Sequence, residues 1–245
     1  MMAEGFLYFL AIAALLVYAS FIIRTAVHLA SWLKGPSPEK PGHGQSPGGG
    51  NKNIRAAALD VIFLRRLFRV NRVLWVGEWV FHVSFLLVLI RHLRYFLTPV
   101  PQFVWQMQSA GRAAGYVLPF SLLYIIIIKA AANRGRQMFA YNYFLLAGFF
   151  LISSLGALMT LYFYPDVVAV KEFMMFSLDP RALFSGALPE SPLAGMSGEV
   201  PFLAHFLLAL TILFYLPTHI FAAPFTIYKA RRRDESMKGN FYPSP

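Results

Sequence analysis

An apolar run from Leu74 to Tyr95 is long enough to cross a membrane as one helix, yet it carries two histidines, His82 and His92. A second apolar stretch near the C-terminus contains another pair, His205 and His219. An imidazole ring inside hydrocarbon loses its hydrogen bonds to water, so such a residue is by default a candidate functional site. Two helices with two histidines each therefore predict a four-point clamp for two haems.

The composition narrows the class of protein. Of the 245 residues, 58% are hydrophobic, and several runs reach the length of about 20 residues that a membrane helix needs. The net charge of +11 comes from lysines and arginines that flank these runs, which is typical of membrane topology signals rather than of nucleic-acid binding. The absence of cysteine excludes disulfides, c-type haem attachment and cysteine-ligated iron–sulfur clusters in this chain. Histidine is then the leading haem ligand.

The pattern predicts an all-α fold, an integral membrane bundle of five transmembrane helices forming a single domain over residues 1–245. The expected spans cover residues 6–23, 73–97, 113–128, 139–163 and 201–228. The first five residues contain no lysine or arginine, so we interpret the first span as a retained anchor rather than a secretory signal. Placing the N-terminus outside puts 17 of the 22 lysines and arginines on inner segments, which favours N-out, C-in.

The segments between the spans carry further predictions. Residues 35–53, rich in proline, glycine and serine, predict a flexible linker, and residues 229–245 form a basic tail. Residues 54–71 predict a basic amphipathic helix on the cytoplasmic membrane surface, or a docking helix for a cytoplasmic partner. Residues 168–176 predict a short interfacial helix. Small residues in the fourth span would allow close approach of a helix or a flat ligand: Ala147, Gly148, Ser153, Ser154, Gly156 and Ala157.

Helix geometry decides how the histidines pair. Ten residues rise about 15 Å and fourteen rise about 21 Å, so two histidines of one helix cannot ligate opposite faces of one iron. Since the second and fifth spans run antiparallel, His92 should pair with His205 near the outer face and His82 with His219 near the inner face. Iron held by two imidazoles has no open position and passes electrons. The alternative is a haem-free membrane anchor or proton-conducting subunit whose histidines only bond to neighbours.

Glu78 lies one helical turn inward of His82 on the same face. An ionised carboxylate at that depth needs a partner, and the candidates are Arg72, a proton, or the histidine of an inner haem. The sequence leaves these three open.

The tract DVIFLRRLFRVNRVLWVGEWVFH, with a second histidine ten residues on, resembles the gamma subunit of respiratory nitrate reductase and its relatives. These relatives include the membrane cytochrome b subunits of sulfite-reduction-associated complexes and of membrane heterodisulfide reductase. The resemblance covers nearly the whole chain. It implies that His82, His92, His205 and His219 ligate the iron of two b haems, in the cytoplasmic membrane of a bacterium or archaeon.

The resemblance also implies a site where menaquinone reacts near the outer haem, with a basic residue at the start of the third span. Arg112 occupies that place, and Arg91 and Arg94 add positive charge beside His92. Alternatively, these arginines neutralise haem propionates or extend to the lipid headgroups. The implied role is the quinone-reactive electron-transfer subunit of an oxidoreductase, which works with a cytoplasmic iron–sulfur partner and completes no reaction alone.

Overall fold

The computed structural model describes residues 2–33, 62–132, 140–185 and 199–216. These ranges are helical and contain no β-strand, so the all-α prediction is confirmed for them. In chain order the helices are α1 (Met2–Leu33), α2 (Arg65–Val70), α3 (Arg72–His92), α4 (Gln102–Gln106), α5 (Gln108–Ala132), α6 (Ala140–Leu158), α7 (Val167–Leu178), α8 (Pro180–Ser185) and α9 (Glu199–Tyr215). A 3-10 turn, Leu93–Tyr95, follows α3, and a π-helical turn, Met159–Phe163, follows α6.

Within the described ranges, four helices are long and apolar enough to cross a membrane, at Gly5–Ala30, Arg72–Tyr95, Gln108–Ala131 and Tyr143–Phe163. They correspond to the first four predicted spans, and the chain is a multi-pass membrane protein. Large apolar side chains such as Phe120 are exposed on these helices, as expected for surfaces that face lipid. Helix α9 is apolar but has 17 residues, and residues 217–228 lie outside the described ranges. The fifth span and the N-out orientation stay predictions.

Two helices are longer than the sequence-based expectation. Helix α1 extends beyond the first expected span, residues 6–23, and α5 begins at Gln108, whereas the third span was expected to begin at residue 113. Residues 98–112, which lie between the second and third expected spans, were expected to form a loop, but Pro101 stands immediately before α4, where a proline does not interrupt a helix. Arg112 therefore lies inside α5. This helix also continues through Pro119 to Ala132.

Side-chain caps begin α3 and α7. The Asn71 side chain accepts a hydrogen bond from the Leu74 backbone N–H at 3.0 Å, which caps α3. Asp166 accepts one from Val168 at 2.8 Å and caps α7, the helix expected near residues 168–176. The expected amphipathic helix over residues 54–71 is represented by α2 alone, since residues 54–61 lie outside the described ranges. The linker at 35–53 and the tail at 229–245 also lie outside them.

The chain divides into two compact units, Met1–Ala19 with Val76–Phe214, and Ser20–Trp75 with Tyr215–Pro245. The single domain expected over residues 1–245 stays a prediction. The second unit contains a small cluster in which the Trp75 indole N–H donates to the Phe63 carbonyl at 2.7 Å. The Phe68 ring lies edge-on to this indole, with ring centres 4.9 Å apart.

The core of the first unit joins α1 to α7, α8 and α9. Leu10 and Phe173 are almost completely buried there, and the Phe173 ring packs edge-on against Phe206 with centres 5.5 Å apart. The Tyr8 hydroxyl donates to the Leu183 carbonyl, which ties α1 to α8. Through this core, α9 packs against a fixed set of neighbouring helices.

Glycines bring α3 and α5 into close contact at two levels. A β-carbon on Gly77 would lie 2.6 Å from the Tyr124 ring, and one on Gly111 would lie 2.7 Å from the Arg91 β-carbon. The two contacts are separated by fourteen residues on α3 and thirteen on α5, or about 20 Å on each helix. The helices are therefore antiparallel and in register over most of the span.

An ion pair joins the same two helices. The Lys129 ammonium lies 2.6 Å from a Glu78 carboxylate oxygen, and both side chains are largely buried. The partner of Glu78 is thus Lys129, which was not among the three partners considered from the sequence. Because α3 begins and α5 ends on the same side, these residues share one depth in the bundle.

We expect Gly111→Ala to lower the free energy of unfolding by about 1–3 kcal/mol, because the added methyl group overpacks the α3–α5 contact. It would also meet the Leu87 carbonyl oxygen at 3.0 Å, and a backbone atom cannot rotate away. Gly115→Ala is the matched control, since its methyl group would meet only a Val88 methyl at 4.0 Å. Thermal unfolding in detergent measures both, and equal stabilities would contradict the packing argument.

We expect Lys129→Met and Glu78→Gln to destabilise the protein separately by about 1–3 kcal/mol, since each leaves a buried polar group without its partner. The double variant should be less destabilised than the sum of the two. A double-mutant cycle of thermal unfolding measures this coupling. Additive effects would show that the pair contributes nothing beyond its separate side chains.

Candidate functional site

The structure brings the imidazole rings of His92 and His205 close together with nearly parallel planes. His92 ends α3, and His205 lies in the second turn of α9. Their ring centres are 6.4 Å apart, and their planes differ by 14°. These are the two histidines that the antiparallel argument paired at the outer end.

The His92 ring is oriented by its own helix. Its Nδ1 lies 2.7 Å from the Val88 carbonyl oxygen, one turn earlier. A carbonyl can only accept, so Nδ1 carries the proton and Nε2 keeps its lone pair. This is the arrangement of a metal-ligating histidine, whose second nitrogen donates to a carbonyl.

His82 is held in the same way, with Nδ1 2.6 Å from the Glu78 carbonyl oxygen. Glu78 therefore serves two groups, since its backbone orients His82 while its carboxylate pairs with Lys129. The Phe81 ring lies edge-on to His82, with ring centres 5.0 Å apart. The expected partner of His82, His219, lies outside the described residues.

The His205 ring is positioned differently. Its Nδ1 is buried and makes no hydrogen bond, although the Ile152 carbonyl lies near the ring. Gly156 of α6 lies against the ring, so a β-carbon there would come within 3.1 Å of Cε1 and 3.5 Å of Nδ1.

The separation of the two rings suits a shared metal. For two rings whose ligating nitrogens point at one metal from opposite sides, two metal–imidazole bonds of about 2.0–2.1 Å and the two half-widths of the rings give roughly 6.3 Å between ring centres. The observed value is 6.4 Å. Within the described ranges no group of three or more histidine, cysteine, aspartate or glutamate side chains could hold a metal ion. A haem brings four nitrogens of its own and requires only two from the protein, so the donor set fits haem iron.

Three arginines surround the His92 end of the site. The Arg94 guanidinium donates to Gln108 at 3.0 Å and to the Tyr95 hydroxyl at 2.6 Å, and it lies over the Tyr95 ring. Arg91, which packs against Gly111, is within electrostatic range of Arg94 and Arg112.

None of these arginines forms an ion pair with a carboxylate in the part of the chain that the structure describes. The Nε of Arg94 is buried and has no hydrogen-bond partner there, whereas Arg112 is exposed. The result is an excess of positive charge beside His92.

Three contributors to the site were not singled out as such from the sequence: Gln108, Lys129 and Gly156. Gln108 was placed in a loop, and Gly156 was noted only as one of several small residues. Lys129 and Glu78 could have been paired from their depth in the membrane. Lys129 lies at the end of the third span, and Glu78 lies near the start of the second. The contact of Gly156 with His205 depends on how α6 and α9 pack, which no local pattern encodes.

The chain is similar to two curated proteins, both named Hdr-like menaquinol oxidoreductase cytochrome b-like subunit. It is 29% identical over 182 residues to the one from Archaeoglobus fulgidus, covering 65% of this chain and 53% of that protein. It is 27% identical over 155 residues to the one from Archaeoglobus profundus, covering 49% and 46%. The chain spans about half the length of the curated relatives it matches.

No family model matches the chain, and neither does any solved structure. The expected likeness to the nitrate reductase gamma subunit stays a prediction. The similarity to the two archaeal proteins supports a relation of this chain to the cytochrome b-like membrane subunits.

Proposed function

We propose that the chain is a dihaem cytochrome b subunit of a membrane oxidoreductase. It passes electrons between menaquinone near the outer face and an iron–sulfur partner on the cytoplasmic side. The observation that carries the proposal is the facing pair, His92 and His205, with ring centres 6.4 Å apart between two apolar helices.

His92 and His205 would hold the outer haem, and a haem with two imidazole ligands supplies one-electron transfer. The protein contributes the orientation of the rings. Val88 fixes the proton of His92 on Nδ1, so Nε2 is the ligating atom. Because the rings come from different helices, ligation also depends on how α3 and α9 pack within the first unit.

His82 and His219 would hold the inner haem. The support is the same hydrogen bond to the preceding turn, here from His82 Nδ1 to the Glu78 carbonyl oxygen. The depths of the four histidines in antiparallel helices favour this pairing. With no cysteine in the chain, iron–sulfur clusters would have to belong to the partner.

A quinone site beside His92 is supported by the arginines and by the names of the relatives, which mention menaquinol. Gly111 packs against Leu87 and Arg91, so Arg112, the next residue, lies at the level of His92. A fixed cation there stabilises the negative charge that develops on a quinone oxygen. Arg94 is held by Gln108 and Tyr95 and is less free to move than the exposed Arg112.

We expect two non-covalent b haems in the purified chain, and we expect His92→Ala and His205→Ala to lose the same one. His82→Ala and His219→Ala should lose the other. Pyridine haemochrome assay and redox titration of the four variants measure content and identity. A wild-type haem content of zero would favour the haem-free anchor or proton-conducting alternative, and a shared phenotype of His82 and His205 would refute the pairing.

We expect Arg112→Ala to slow haem reduction by a menaquinol analogue roughly tenfold to a thousandfold, which is the order of effect of removing one charge-stabilising donor. Haem content should stay at the wild-type value. Arg112→Lys is the matched control, because it keeps a cation at this position. Stopped-flow absorbance measures the rate, and an unchanged rate in Arg112→Ala would place the quinone elsewhere.

A further inference from the structure

The three described histidines of the site differ in how their rings are held. His92 and His82 each donate from Nδ1 to a carbonyl one turn back. His205 makes no such bond, and its Nδ1 is buried without a hydrogen-bond partner. The orientation of His205 therefore comes from its neighbours on α6, the Gly156 backbone and the Ile152 carbonyl, rather than from its own helix.

Gly156 supplies the nearest packing surface for this ring. A β-carbon at Gly156 would lie 3.1 Å from His205 Cε1, closer than such contacts normally allow. The Thr160 hydroxyl donates to the Gly156 carbonyl at 2.9 Å, so this turn of α6 is held from its own side as well. The ring rests on backbone that only a glycine leaves uncovered.

The same two helices offer a comparison two turns away. Gly148 of α6 packs against Ile212 of α9, where a β-carbon would meet Cδ1 at 3.2 Å and Cγ1 at 3.4 Å. The nearer of these atoms is the end of a flexible side chain, which can rotate away. An imidazole ring bound to a metal has no such freedom, because moving it changes the ligand bond.

We propose that Gly156 is a positioning residue for His205: the missing side chain lets the α6 backbone set the tilt of the ring towards His92. This inference rests on the proposed function, since it assigns the ring a metal to face. The glycine touches neither haem nor quinone in this scheme and acts only through His205.

The test compares Gly156→Ala and Gly156→Leu with Gly148→Ala and Gly148→Leu. We expect the Gly156 variants to shift the midpoint potential of one haem and to leave the other unchanged. Because displacement of His205 opens a coordination position, the reduced protein should bind carbon monoxide at up to half of its haem, and more with leucine than with alanine. Wild-type protein and both Gly148 variants should bind none.

Carbon monoxide binding that is equal at the two positions, absent at both, or accompanied by loss of both haems in the Gly156 variants would overturn the inference. In each case Gly156 would serve only the packing of helices. Wild-type protein without haem would instead overturn the proposed function.

A haem-independent measurement separates these failures. If Gly156 accommodates the ring, the fall in Tm caused by Gly156→Ala should largely disappear in a His205→Ala background, because the clash is gone. The fall caused by Gly148→Ala should persist in that background. An undiminished effect of Gly156→Ala would refute the positioning role whatever the haem content.

Discussion

Inside hydrocarbon, every polar group must find its partner within the protein, and this constraint organises the described structure. The Glu78 carboxylate is matched by Lys129 across two helices. The imidazoles of His82 and His92 are matched by carbonyls of their own helix. Hydroxyl groups follow the same rule, as Ser121 does by donating to the Leu118 carbonyl at 2.7 Å.

Three buried side-chain atoms in the described residues make no hydrogen bond: Thr25 Oγ1 and two nitrogens, Arg94 Nε and His205 Nδ1. Native proteins seldom leave such groups unpaired unless a ligand, water or ion completes them. Both nitrogens lie at the same end of the bundle, near His92, with which His205 is paired and beside which Arg94 lies. Two of the three unmatched groups thus lie where the chemistry is proposed.

Much of this arrangement follows from the sequence, because hydrophobic length is a local property. Four spans could be placed from apolar runs, and the facing of His92 with His205 follows from antiparallel depth alone. The start of α5 could not be placed from the sequence, because polar residues such as Gln108 continue the helix beyond the apolar run. The role of Gly156 could not be predicted from the sequence either, because it depends on which helix packs against α6.

The two glycine contacts between α3 and α5 have a mechanical consequence. A helix pair that touches backbone to side chain at both ends, about 20 Å apart, cannot slide along its axis without a clash at Tyr124 or Arg91. His92 follows Arg91 directly, so the turn of α3 that carries His92 is held against α5. In the proposed function, a haem held on such a frame would keep its bond lengths when its charge changes, and little motion would be coupled to each electron that passes.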